Sequence, residues 1–194
     1  ILFTVLVFFG LQAFTQDRYF AQTYTSNVLS KGGVDIELWH TSRFGHSSGF
    51  YNAIDQRMEF EVGLGKKGQT AFYFNMFQEM QSDSAGDIQT KSEIGFSNEW
   101  KYLLTKPTSK YGIALYAELG VKGDEIEWEG KFIIDRAFGK NLFAFNLVSE
   151  VEQEIEKQNG KYKFKVSQTP IELDFSYMRF FRPEIGLGFE LKNN

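Results

Sequence analysis

Cysteine is absent from this chain, histidine occurs twice and proline three times in 194 residues. Without cysteine there is no disulfide, no thiolate metal site, no cysteine nucleophile and no acylated lipoprotein cysteine. A basic excess is missing too: 21 Lys and Arg stand against 25 Asp and Glu, a net charge of -4, so nothing marks a nucleic-acid footprint and no nucleic-acid partner is expected. No helical stripe of useful length occurs, and no linker or low-complexity run breaks the chain after about residue 33. One long apolar run exists, Ile1 to Phe14, broken only by Thr4, Gln12 and small residues. It is too short for a helical span of about 20 residues, and it sits where the apolar core of a secretory leader would sit. With no initial Met and no basic stretch before it, the expected organisation is a partial signal peptide at 1–15, a lead-in at 16–33 and one domain at 34–194.

What is abundant is aromatic: 21 Phe and 9 Tyr, which suit pleated surfaces. They fall in alternation with charge. In Arg57 to Leu64, Met58, Phe60, Val62 and Leu64 take one parity, while Arg57, Glu59 and Glu61 take the other. From Glu93 to Leu104, Ile94, Phe96, Trp100, Tyr102 and Leu104 oppose Glu93, Glu99 and Lys101. From Glu125 to Ile134, Ile126, Trp128, Phe132 and Ile134 oppose Glu125, Glu127, Glu129 and Lys131. Outward rows this aromatic need lipid or another layer over them. The pattern predicts an all-β, antiparallel, up-and-down transmembrane β-barrel with an oily outside and a charged inside. A mean hydropathy of -0.32 is compatible with it, because every second residue of such a strand faces a polar interior.

Nine strand-length segments can be placed, near 34–44, 55–64, 70–80, 92–104, 112–121, 125–136, 142–155, 161–178 and 184–192. Pro170 interrupts the eighth, where a bulge or register shift is expected. Val151 to Lys157 reads as strand, with Val151, Gln153 and Ile155 alternating against Glu152, Glu154 and Glu156. Links at 65–68, 106–109, 138–141 and 182–183 read as tight turns at one end, and those at 46–53 and 82–91 as longer loops at the other. Single-chain bacterial barrels close with an even strand number, so an odd count ending in Leu191-Lys192-Asn193-Asn194 suggests a domain incomplete at its C-terminus.

Lys31-Gly32, Glu37, Trp39, Arg43, Asp55, Arg57, Glu59, Glu61, Gly63-Leu64, Gln69, Tyr73 and Asn75 resemble the opening strands of Gram-negative outer-membrane barrels, nearest the meta-pathway phenol-degradation type of outer-membrane transporters. The resemblance spans residues 31–75. It implies an outer-membrane location and passive transport; it carries no site residue across.

The chemistry-bearing residues divide into two sets. The inner parity supplies Arg57, Glu59, Glu61, Glu99, Lys101, Glu127, Glu129 and Lys131 as lumen-lining candidates, and rings of Asp and Glu favour cations in narrow pores. His40-Thr41-Ser42 places a His and a Ser on one face together with Val34, Ile36 and Leu38. A lipid-facing His-x-Ser pair resembles that of outer-membrane phospholipase A and the lipid A deacylases, where His activates Ser for attack on an acyl ester. A third group would have to orient the His, and Gln56, Asp55 or Asn52 are within reach on the next strand. His46 forms no metal pair with His40; no metal and no cofactor is expected.

The leading expectation is therefore a non-enzymatic passive channel or facilitator for small solutes, porin-like, partnered by outer-membrane lipid. The alternatives are an outer-membrane lipid hydrolase using Ser42 and His40, and a soluble periplasmic barrel that binds an apolar ligand with Phe60, Phe96 and Trp128 turned inward.

Overall fold

The computed structural model describes residues 18–193, apart from 47, 48, 84, 107, 159, 160 and 184. The expected leader at 1–15 lies outside the described residues. Ten strands form one antiparallel sheet: β1 (Val34–His46), β2 (Gly49–Gly63), β3 (Gly68–Ser82), β4 (Ile88–Leu103), β5 (Gly112–Lys122), β6 (Glu125–Phe138), β7 (Asn141–Gln158), β8 (Lys161–Gln168), β9 (Ile171–Arg182) and β10 (Ile185–Asn193). Each strand pairs with the next from β1 to β7; β9 then follows β7 in the sheet, β10 follows β9, and β8 pairs with the far end of β7. Among the described residues there is no helix.

Pro170 explains the tenth strand. Residues 161–182 form two collinear strands on one long partner: β8 runs along Glu152 to Gln158 of β7, and β9 along Asn141 to Ser149. Between them Pro170, which has no N–H to donate, accepts instead from Glu150 N at 3.2 Å, and the register slips at Glu152. The loop expectations need correction. β2 starts at Gly49, paired with His46, so the expected long loop at 46–53 shrinks to a tight connection. The longest connection instead runs from Leu104 to Tyr111, at the end where only short turns were expected, held by Thr105 Oγ1 accepting from Ile113 N at 3.1 Å and by Lys106 O accepting from Ser109 N at 2.9 Å.

Burial follows the strand period. On β3 Ala71 and Tyr73 are fully buried while Phe72 and Phe74 are exposed; on β7 Leu142, Ala144, Asn146 and Val148 are buried while Phe143, Phe145 and Leu147 are exposed. Trp128 is 52% exposed and Phe96 44%, the opposite of what a soluble barrel binding an apolar ligand would require.

The buried face is curled, and one short segment demonstrates it. Arg18 lies against Glu37 of β1 at 3.8 Å, yet three residues later Ala21 N donates to Glu190 of β10 at 2.9 Å. Three residues reach at most ~11 Å. In a flat sheet those two edge strands would stand ~38 Å apart, eight spacings of ~4.8 Å. The sheet is a curled half-barrel around residues 18–33, open between β1 and β10 among the described residues.

Candidate functional site

The concave face is built to hold a stretch of chain without regular secondary structure. Such a stretch carries main-chain donors that neighbours must satisfy when buried. Glu190 takes three of them, from Ala21 N at 2.9 Å, Gln22 N at 3.0 Å and Thr23 N at 2.8 Å. Asn146 grips Tyr24 on both sides, its Oδ1 accepting from Tyr24 N at 2.7 Å and its Nδ2 donating to Tyr24 O at 2.9 Å. Asp135 accepts from Ser26 N at 2.5 Å, and Gln69 Oε1 from Leu29 N at 2.9 Å. Two inward glycines make the room: a Cβ on Gly112 would strike Ser26 Oγ and the Asp135 carboxylate, and one on Gly63 would strike the carbonyl oxygens of Leu29 and Ser30.

Tyr24 is the centre of this packing. Its ring lies 5.0 Å from that of Tyr116, with Lys131 Nζ at 4.3 Å and the Arg18 guanidinium at 4.6 Å from its centroid. Burial pushes its hydroxyl above the ordinary tyrosine value. Arg18 also stacks over Trp39 at 4.6 Å and stands 3.6 Å from Glu59.

The eight inner-parity residues singled out above all lie on this face, in different surroundings. Glu59 and Glu99 are fully buried, Lys101 is buried, and Arg57, Glu61, Glu129 and Lys131 are partly covered; Glu127 is exposed. Arg57 is used locally, donating to Asn75 Oδ1 at 2.9 Å and lying over the Tyr73 ring at 4.8 Å. Lys131 pairs with Glu129 at 2.9 Å. Among the described residues two groups of three carboxylates result. Glu59, Glu61 and Glu99 lie under the 18–33 segment, with Tyr73 donating its hydroxyl to Glu99. Glu127, Glu150 and Glu152 meet near an open cavity of about 240 Å³ shared with Arg57 and Lys122. There Glu127 faces Glu152 and Glu129 faces Glu150 across the β6–β7 pair, an unfavourable like-charge arrangement.

Sequence reasoning missed the roles of Gln69, Asp135, Asn146 and Glu190, and of Ser176, whose hydroxyl meets that of Thr23 at 2.5 Å. The available signal was polar residues on the inner parity of otherwise apolar strands, Asn146 between Ala144 and Val148 most visibly.

On the outer face, His40 pairs with Gln56 across β1–β2, and both look away from the concave side with Ser42. His40 Nε2 and Ser42 Oγ are 2.8 Å apart, and Gln56 Nε2 is 3.4 Å from His40 Nδ1. The other two possible orienting groups do not reach: Asp55 pairs with Arg43 at 2.5 Å on the opposite face, and Asn52 lies opposite Phe44. Gln56 Nε2 can only donate, so with the amide in this orientation Nδ1 would be the acceptor and the N–H of a neutral ring would be at Nε2, directed at Ser42. A general base needs that position as a lone pair.

A family model matches residues 12–143, the family of unknown function DUF6662. The chain belongs to it. The DUF6662 match covers β1 to β6, the 18–33 segment, the Glu59, Glu61 and Glu99 group and the His40, Ser42 and Gln56 chain, whereas Asn146, Glu150, Glu152 and Glu190 lie beyond it. No curated protein and no solved structure matches.

Proposed function

We propose that this chain forms the wall of an up-and-down outer-membrane β-barrel and serves as a passive, non-enzymatic facilitator for small solutes, reached by secretion across the inner membrane. The observation that carries the reading is the inversion of the faces: Leu38 and Ile94 are each 77% exposed, while Glu59 and Glu99 are fully buried. Water would penalise such an outer surface and lipid would not. The strands are long enough. Fifteen residues, as in β2 and β3, span ~50 Å, which a tilt near 40° reduces to ~38 Å, more than an apolar band about 25 Å tall. The resemblance of residues 31–75 to outer-membrane transporters supports the same reading. The 18–33 segment lies in the path, so it sets how wide that path is.

Reconstitution in a planar bilayer tests this, with reversal potentials recorded across a salt gradient. The expected result is small, cation-preferring conductance that increases when residues 18–30 are deleted and loses its preference in Glu127→Gln with Glu129→Gln. Recovery of folded protein from the soluble fraction without detergent would reject the membrane reading, and anion preference would reject the carboxylate filter.

A second reading, lipid-ester hydrolysis on the outer face, is favoured by the 2.8 Å contact between His40 and Ser42. It requires the Gln56 amide to turn over, bringing Oε1 to an Nδ1–H so that Nε2 is free to take the Ser42 proton. Hydrolysis of a phospholipid or p-nitrophenyl acyl ester that vanishes in Ser42→Ala would establish it; the expected result is no hydrolysis by either protein.

A further inference from the structure

The group under the 18–33 segment has a geometry the facilitator reading does not use. Glu61 of β2 and Glu99 of β4 both pair with Ala71 of β3. A methyl group fills little space, so the two carboxylates converge over it. Glu59 is the next inward residue on β2, and oxygens from all three lie within 4.8 Å of one another. Glu59 and Glu99 are fully buried. Neither Glu59 oxygen accepts a hydrogen bond, and one Glu99 oxygen accepts none; the other takes the Tyr73 hydroxyl.

The cations nearby do not complete the site. Arg18 Nη1 stands 3.6 Å from Glu59 and 3.8 Å from Glu37, beyond hydrogen-bond range of either. Lys101 is the inward neighbour of Glu99 on β4 and faces Glu61. Four carboxylates (Glu37, Glu59, Glu61, Glu99) share two cations (Arg18, Lys101), and with Glu59 and Glu99 fully buried the group can ionise fully only if a further positive charge joins it. Buried charges are paired or coordinate metals, and an unmet buried acceptor is costly.

We propose that Glu59, Glu61 and Glu99 together bind one hard divalent cation of calcium size, a site that ties β2 to β4 beneath the N-terminal segment. Oxygen-only donors select hard cations over zinc or copper. Magnesium demands a near-ideal octahedron and gives up its water reluctantly, whereas calcium accepts about six to eight oxygens in flexible geometry. The three carboxylates bring oxygens within 4.8 Å of one another, close enough to share one ion. Calcium also tolerates irregular ligand sets completed by water, which three carboxylates on two strands would supply. The second group, Glu127, Glu150 and Glu152, is open to solvent and has no buried unmet oxygen, so it is not proposed as a site.

The test uses the whole protein folded in detergent micelles and freed of metal with a chelator, and it does not depend on conduction. Terbium is added as a calcium-sized probe, with emission excited through tyrosine, since Tyr73 touches the site. The expected result is saturable emission at one equivalent per chain, displaced by calcium at least tenfold more effectively than by magnesium. Glu99→Gln and Glu61→Gln should each weaken calcium binding at least tenfold, and Glu150→Gln should leave it within twofold. Wild-type protein that gives no sensitised emission and no calorimetric calcium binding would overturn the proposal without any variant, and would mean that the group holds protons instead. Binding that survives Glu99→Gln in a variant with unchanged circular dichroism would overturn it equally.

Discussion

On the outer face of β2, β3 and β4, Phe60, Phe72, Phe74 and Phe96 pack ring against ring at centroid distances of 5.4 to 6.4 Å; Phe72, Phe74 and Phe96 remain exposed and Phe60 half-buried. On the inner face of the same strands, Glu59, Tyr73 and Glu99 are sealed away. The same cross-strand pairs build both, since Glu59 opposite Tyr73 and Phe60 opposite Phe72 are successive rungs of one ladder. The difference therefore comes from what each face meets. Among the described residues the outer rows find each other and then nothing more; the inner rows find residues 18–33, whose main chain uses carboxylates and amides as hydrogen-bond acceptors. A polar interior is here a matter of backbone satisfaction as much as of solvent.

The largest effect that could break this comparison is a charge placed on the outer face. Phe74→Arg should cost about 2–4 kcal/mol when folding is titrated in bilayers, whereas Glu127→Arg on the inner face should cost less than about 1 kcal/mol. Equal costs would mean that lipid does not cover the aromatic rows. A smaller effect is expected inside. Asn146→Ala strands the N–H and C=O of Tyr24 and should cost about 1–3 kcal/mol by denaturant titration in micelles, with faster amide exchange at Tyr24 as its signature. Unchanged exchange at Tyr24 would show that the segment is not held by the wall.

Smaller still, and of opposite sign, is Glu152→Gln. It removes one of two facing carboxylates and should stabilise by about 0.2–1 kcal/mol, more at low ionic strength. Outside the wall, the Asp83 carboxyl lies below its ordinary range because Gln89 Nε2 donates to it at 3.2 Å and the main-chain N–H groups of Asp87 and Ala85 at 3.0 and 2.9 Å. With the folded value below the unfolded one, these bonds contribute at neutral pH and are lost as pH falls below about 4. Amide exchange of Ala85 and Asp87 should accelerate there and not above; a flat profile would remove Asp83 as the organiser of this loop.

Strand period and face were legible from the sequence because they are local: Met58, Phe60 and Val62 against Arg57, Glu59 and Glu61 need no distant information. Pro170 likewise announced the break between β8 and β9. Connection lengths were not legible at 46–53, because Gly49 to Ile54 extend a strand that lacks strong alternation. The inner carboxylates could be named but their burial could not. What seals Glu59 and Glu99 is a segment without periodicity, and its partners accept from main-chain N–H groups, which every residue other than proline carries. Side-chain identity along 18–33 therefore leaves little trace of where it docks. The Gln56 contact with His40 was within reach of the sequence because register across one hairpin is short-range; the direction of its hydrogen bond was not.

The contact between Ala21 and Glu190 joins residues 169 positions apart. At about 5–20 residues per second of synthesis, the acceptor emerges roughly 8–34 s after the donor it must satisfy. Each hairpin of the meander can meet its neighbour as soon as that neighbour exists, but the 18–33 stretch has to wait for a strand made much later. Through that interval its amides need another partner, water or a chaperone, and the curl of the sheet cannot be completed around it. Order of manufacture and order of assembly thus run in opposite directions in this protein.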